Sequence, residues 1–301
     1  MRMIRRAVRP LKVAVSAATL ALIIGPGLSS CSQPAEQNAP EPEATEQTTN
    51  EAAPQQEAPA QNDVTSQNAK KLLKRMSDYL AAQKNISLSY DSVFEVVSKD
   101  KQKLQLATSG TAVLNRPDKI HTTRRSGFSD TEMVYDGKTL SILGKGQNAY
   151  VQTEAPGTID TLIDQLRDKF HRQLPGADLL QSNVYDALMT DVTDVKDLGS
   201  GVINGTECDH LAFRAKETDW QIWIAQGPNP YPCRYVITSK GVDQAPQFTL
   251  EIRDWKAGAG AAASDFSFKS PAGAKRLDAK DLQALKETSD LPENYRIGET
   301  Q

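Results

Sequence analysis

Histidine and cysteine are scarce in this chain of 301 residues, with three of each. His121, His171 and His210 are scattered and form no His-Glu-x-x-His or comparable metal-ligand spacing, so the common metallohydrolase patterns are excluded. There is no Gly-x-Ser-x-Gly elbow and no Gly-rich phosphate loop. Nothing therefore assembles a nucleophile, a base and an oxyanion hole, and neither a cofactor nor a catalytic residue is implied. Positive charge is not in excess either. Lys and Arg total 35 against 38 Asp and Glu, for a net charge of −3, which gives no generic attraction to nucleic acid or to an anionic lipid surface. Nucleic acid is excluded as a partner on this ground.

Long hydrophobic runs are missing too. Val13 to Ile24 is apolar over twelve residues, where a membrane-crossing helix needs about 20. Arg2, Arg5, Arg6, Arg9 and Lys12 precede it, the layout of a secretory signal. Pro26-Gly27 breaks the run, and Leu28-Ser29-Ser30-Cys31 closes it. This box resembles the bacterial lipoprotein signal, which implies lipidation of Cys31 and cleavage before it. An ordinary secretory signal with a chance Cys is the alternative. Ser rather than Asp at position 32 implies, by the same resemblance, the periplasmic face of the outer membrane. Loss of residues 1–30 removes five cations and no acid, taking the net charge from −3 to −8. Two or more acyl chains at Cys31 would hold the protein on the bilayer stably, where one would not.

From Ser32 to Asn62 the chain has five prolines and six glutamates but no Val, Ile, Leu, Met, aromatic, Lys or Arg. Such a segment cannot bury enough apolar area to offset its ordering entropy and is expected to be a disordered tether. The expected organisation is a signal peptide over 1–30, the lipidated Cys and tether over 31–63, and one folded domain over 64–296.

Within that domain the hydrophobic period alternates between helix and strand. Leu72, Leu73, Met76, Tyr79 and Leu80 share one helical face. Ile86, Leu88, Tyr90, Phe94 and Val96, then Leu104, Leu106, Ala112 and Leu114, follow a period of two. Arg116-Pro117 ends that strand pair. Asp136-Gly137 signals a hairpin between Met133–Tyr135 and Thr139–Leu143. Ile159, Leu162, Ile163, Leu166 and Phe170 return to helical spacing behind Gly157 or Thr158 as a cap, and Pro175-Gly176 stops the helix. Ala177 to Leu188 is expected to form a further short helix.

Strands resume at Val202-Ile203 and Leu211–Phe213, then Trp220–Ile224, Tyr235–Ile237 and Phe248–Ile252, with Asp265–Phe268 expected as the last. Residues 279–290 are expected to form a terminal helix. The pattern predicts an α+β fold: an extended antiparallel sheet with one helix before it and a helical insertion across one face.

Cys208 and Cys233 are an even pair in an oxidising compartment and are expected to form a disulfide, with free thiols as the alternative. Such a loop closure is worth roughly 3–4 kcal/mol in the chain-entropy model. Asp209-His210 with Arg214 and Asp219-Trp220 is the densest polar constellation. On strand parity His210 and Arg214 share one face and Leu211 and Phe213 the other, so cross-strand ion pairs and a hydrogen-bonded His are expected. Trp220 and Trp223 should point to opposite faces, one inward.

Gly205–Arg214, Asp219–Ile224 and Pro232–Thr238 resemble a family of predicted periplasmic proteins, the domain of unknown function numbered 2092. Arg116-Pro117-Asp118, Tyr135–Leu140, Leu174–Leu179 and Phe266-Ser267-Phe268 leading to Pro271–Lys275 resemble it as well, so that the likeness covers most of residues 70–276 in order. That family is grouped with the LolA and LolB lipoprotein carriers. The resemblance implies an incomplete, curved antiparallel β-barrel whose concave apolar face is covered by helices, with acyl chains held between the layers. The insertion at 158–188 is where such a lid would fall, and Trp220, Trp223, Leu162 and Leu166 are the candidate cavity residues. The expected function is non-catalytic binding or transfer of an acyl-chain or acylated-protein ligand. The alternative is an envelope scaffold, with a protein partner, whose interior is filled by its own side chains.

Overall fold

The computed structural model describes residues 59–170 and 174–278. Helix α1 (Pro59–Ala82) starts with proline, whose missing N–H costs nothing at a first helical position, and so reaches back into the stretch expected as tether. Its apolar face, Ala69, Leu73, Met76 and Leu80, is fully buried. Strands β1 (Asn85–Val97) and β2 (Lys103–Asn115) pair along their whole length, and β3 (Lys119–Ser126), β4 (Asp130–Tyr135), β5 (Thr139–Gly144) and β6 (Ala149–Glu154) continue the meander. At the Asp136-Gly137 turn, the Asp136 carboxylate accepts the N–H groups of Lys138 and Thr139 at 2.9 and 2.7 Å, and Gly137 sits at φ +92°.

The chain then leaves this edge of the sheet and crosses to the other. Helix α2 (Ile159–Asp168) is capped by Thr158, which exchanges hydrogen bonds with Thr161 in a reciprocal box. A 3₁₀ turn (Ala177–Leu180) and helix α3 (Val184–Met189) complete the crossing. Strands β7 (Val192–Ile203), β8 (Thr206–Ala215), β9 (Thr218–Ala225), β10 (Pro232–Ser239) and β11 (Gln247–Ala257) form a second meander. It joins the first through the antiparallel pair β1–β11.

The result is one open, curved sheet of order β12-β6-β5-β4-β3-β2-β1-β11-β10-β9-β8-β7, antiparallel except for β12 (Lys275–Leu277), which runs parallel to β6. The sheet does not close, and the helices lie on its concave face. The expected α+β architecture, an incomplete barrel with its inner face covered, is the architecture found.

Two segments differ from expectation. Asp265–Phe268 is not a strand. Residues 261–274 run as a strap across the convex face. The Ala262 N–H donates to Ser87 Oγ at 2.9 Å, Ser264 hydrogen-bonds His121 at 2.8 Å, and Phe268 packs on the Tyr150 ring. Phe266 and Phe268 alternate as a strand's residues would, but they face a sheet surface and not a neighbouring edge. The strand comes later, at β12. The second difference is β7, which begins at Val192 and not near Val202. Its polar, glycine-containing sequence and two register shifts hide the alternation. The expected helix at 279–290 lies outside the described residues.

Burial divides into two main cores. Under α2, Ile159, Leu162, Ile163 and Leu166 pack on Ile86, Leu114, Ile120, Tyr135, Leu140 and Val151. Tyr135 anchors the start of the crossing, its hydroxyl lying 2.8 Å from both the Ala155 and Gly157 carbonyls. Under α1 and α3, Leu73, Met76, Leu80 and Val184 pack on Leu211, Phe213, Trp220, Ile222 and Tyr235. Leu250 and Trp255 touch both cores. Between them, among the described residues, the central strands are roofed by residues 174–180, the 3₁₀ turn and the segment leading into it.

Candidate functional site

Alternation along β1 turns Leu88, Tyr90, Ser92 and Phe94 toward the concave face. Register brings Leu106, Thr108 and Ala112 of β2 beside them, with Thr122 and Arg124 of β3 beyond. On the other side stand Phe248, Leu250 and Ile252 of β11. Leu174, Pro175, Gly176, Ala177, Leu179 and Leu180 form the roof, and the space enclosed is about 290 Å³.

Local chemistry fixes both walls. Gly110 lies opposite both Tyr90 and Arg124, and its missing side chain lets the Tyr90 ring lie across β2. A Cβ there would fall 2.5 Å from the Tyr90 hydroxyl and 2.1 Å from the Thr123 carbonyl oxygen. The Tyr90 hydroxyl donates to that carbonyl at 3.1 Å. Burial raises the Tyr90 pKa, an effect the Arg124 charge partly opposes. In the roof, Gly176 adopts φ +82° and approaches Leu250 and Phe248, where a Cβ would be 3.2 Å from the Leu250 methyl carbon.

The roof is tied down at its flanks. Arg167 of α2 pairs with Asp178 at 2.7 Å, and Asp160 accepts both the backbone N–H and the hydroxyl of Ser182. The Tyr185 N–H donates to Ser77 of α1 at 2.9 Å. Below the roof, Tyr235 is 4 % exposed and burial raises its hydroxyl pKa strongly.

The four side chains expected at a cavity lie elsewhere. Trp220 stacks on Phe213 with ring centroids 3.8 Å apart, beneath α1. Leu162 and Leu166 pack in the core under α2. Trp223 is on the opposite face from Trp220, as parity requires, between the His210 ring at 4.0 Å and the Arg234 guanidinium at 5.5 Å. None of the four lines the cavity. The inner faces of the helices are used up in packing on the sheet, so the open volume falls where no helix stands.

The polar constellation is separated in space. Asp209 pairs with Arg75 at 3.4 Å and accepts from Gln226, His210 bonds Gln221 at 2.9 Å, and Arg214 pairs with Asp219 at 3.7 Å. The last two are the cross-strand contacts expected from parity, while Asp209 reaches helix α1 and the residue after β9. Cys208 and Cys233 are buried free thiols packed in one small cluster; Cys208 Sγ donates to the Thr206 carbonyl at 3.4 Å and Cys233 Sγ to the Tyr231 carbonyl at 4.0 Å, and burial raises both pKa values. Cys31 and His171 lie outside the described residues. Among the described residues, no cluster of three His, Cys, Asp or Glu could hold a metal ion, and no helix is long and apolar enough to cross a membrane. A second cavity of about 400 Å³ lies under the strap. Its lining includes Lys119, Asp136, Ser141, Gln152 and Asp265, which favour water over an apolar ligand.

A family model described as predicted periplasmic protein (DUF2092) matches residues 69–279. The chain belongs to this family. Among solved structures, the DUF2092 chain is similar to LprF from Mycobacterium bovis at 14 % identity and a TM-score of 0.42, covering 70 % of this chain and 99 % of that one. An uncharacterized conserved protein from Thermus thermophilus gives 11 %, 0.41, 70 % and 99 % for the same quantities. The LolA superfamily protein NE2245 from Nitrosomonas europaea gives 9 %, 0.31, 65 % and 94 %. No curated protein matches the chain.

The inward residues of β1, β2 and β11 were legible as strand faces, and the roof falls within the 158–188 insertion that the resemblance marked as a lid; that the open volume lies beneath its middle and not beneath its helices was not legible. Arg124 carried a signal, a charge on the parity that places Ile120 in the core. Replacing Gly110 with Ala should cost about 1–3 kcal/mol, because the backbone carbonyl of Thr123 cannot swing aside as a side chain can. A clear fall in the thermal midpoint of the Gly110→Ala variant is the expected result. An unchanged midpoint would contradict the close approach described.

Proposed function

We propose that this DUF2092 protein binds, or carries between membranes, a hydrophobic acyl-chain ligand without chemically altering it. The cavity supports this reading: about 290 Å³, walled mainly by Leu, Ile, Phe, Ala and Pro, and roofed by a segment rather than a helix. Each methylene of a chain buried there contributes about 0.8 kcal/mol before ordering costs are subtracted. The rival, a scaffold with a filled interior, has no use for this space.

The reading includes anchorage by an acylated Cys31 at the outer membrane and delivery of the domain through the tether. It also includes a Cys208–Cys233 bridge formed in the periplasm, supported by the place of both thiols in one small buried cluster.

Detergent-free protein should take up the neutral fluorophore N-phenyl-1-naphthylamine, and C12 amphiphiles should displace it at micromolar concentration. Ala177→Trp, which fills the cavity from the roof, should weaken uptake more than about tenfold while circular dichroism stays native. Equal uptake by both proteins would overturn the site. In fractionated cells the wild type should sediment with outer membranes and Cys31→Ser should be soluble; a soluble wild type would overturn the anchor. Periplasmic protein denatured without reductant should show no free thiol at Cys208 or Cys233, and two free thiols there would overturn the bridge.

A further inference from the structure

One hydrogen-bonded chain on the convex face belongs neither to the acyl cavity nor to the cores. His121 of β3 lies between Ser264 of the strap and Glu132 of β4. Its Nδ1 is 2.8 Å from Ser264 Oγ, and its Nε2 is 2.9 Å from Glu132 Oε1. Val134 is the direct partner of His121 across the β3–β4 ladder, so Glu132 is its diagonal neighbour on the same face. Lys145 Nζ holds the other Glu132 oxygen at 3.0 Å. Ser264 is 143 residues from His121 in the chain, so no sequence spacing announces the set.

The protonation pattern follows from the carboxylate. Burial raises the Glu132 pKa, but hydrogen bonds and charges from Lys145 and His121 outweigh it and hold the carboxyl below its ordinary value. An ionised carboxylate only accepts, so Nε2 carries the ring proton and Nδ1 is left bare. The bare nitrogen accepts from the Ser264 hydroxyl. Nucleophile, base and orienting acid thus stand in the order of a Ser-His-acid triad, with the two ring nitrogens exchanged. Base catalysis needs the unprotonated nitrogen to face the hydroxyl, whichever ring position it occupies.

Ser264 also lines the cavity of about 400 Å³ beneath the strap. Lys119, two residues before His121 on the same strand face, lines it too and brings an ammonium to where negative charge would develop on a carbonyl oxygen. Asp136, Ser141 and Gln152 add carboxylate, hydroxyl and amide groups that suit a polar alcohol and a short acyl group better than a long chain. We propose that this site hydrolyses short-chain carboxylic esters of polar alcohols, with Ser264 as nucleophile, His121 as base and Glu132 as the residue that positions His121. Ser264 Oγ attacks the ester carbonyl carbon as His121 Nδ1 takes its proton. The C–O bond to the alcohol breaks, and the proton passes from Nδ1 to the departing oxygen. Water then attacks the acyl-serine and gives a proton to Nδ1. That proton returns to Ser264 Oγ as the carboxylic acid leaves. The activity is independent of acyl binding, which uses the opposite face of the sheet.

The test uses the full chain bearing Cys31→Ser. A fluorophosphonate should label Ser264, read by peptide mass spectrometry. p-Nitrophenyl acetate should be hydrolysed with a kcat/KM at least about tenfold above that of p-nitrophenyl octanoate. Ser264→Ala and His121→Gln should each lower kcat/KM for the acetate at least about 100-fold, and Ser264→Ala should lose the label. Glu132→Gln, which no longer fixes the tautomer, should lower kcat at least about tenfold with KM unchanged. An unlabelled Ser264 in the chain with its triad intact would overturn the activity, a result that depends on no triad variant's folding. Acetate hydrolysis that persists in Ser264→Ala would overturn it as well. A preference for the octanoate would overturn the short-chain assignment, and a fall in KM alone in Glu132→Gln would overturn the positioning role. None of these results bears on uptake by the concave cavity.

Discussion

A curved sheet twelve strands wide must cover its concave face with material that the same chain supplies in one leading helix and one crossing. That constraint organises the molecule. The segment from β6 to β7 has to travel from one edge of the sheet to the other, and it spends its apolar residues near the two ends of the journey. Ile159, Leu162, Ile163 and Leu166 cover the first meander, and Val184 and Leu188 join α1 over the second. In the middle, among the described residues, Leu174, a proline, a left-handed glycine and a 3₁₀ turn stand over β11, β1 and β2. The cavity is the remainder of that division: two cores close, and the seam between them does not.

Packing, electrostatics and backbone geometry agree at this seam. Gly176 lets the roof come down to van der Waals distance of Leu250, while Gly110 lets a tyrosine lie flat in the floor. The ion pair Arg167–Asp178 and the Asp160–Ser182 bonds hold the roof from its flanks and not from the ligand side.

Much of this was legible in the residues. The period switch at Asn85, the Asp136-Gly137 turn and the Thr158 cap all act within a few residues, and each was found where the chain signals it, whereas α2, expected to run to Pro175-Gly176, ends at Asp168. The opposite orientations of Trp220 and Trp223 followed from strand parity alone. What failed was long-range. β7 hides its alternation because its ladder shifts register twice, and Phe266 and Phe268 mimic a strand while lying across one. The cavity lining was misassigned for the same reason. Large aromatic and helix-face residues attract attention, yet those are the side chains that pack, and an open volume arises where they are missing.

The strap over the convex face has a consequence for how copies of this chain can meet. It ends in β12, three residues laid parallel on β6, so that this border of the sheet is closed by a short, mismatched strand. The other border, β7, is long but bent by its register shifts, with Gly199 at φ +84°. Growth of a fibril by edge addition needs two complementary borders on every unit. Among the described residues the strap thus leaves the sheet one long border and one short one, and a short edge strand is a poor template for another chain.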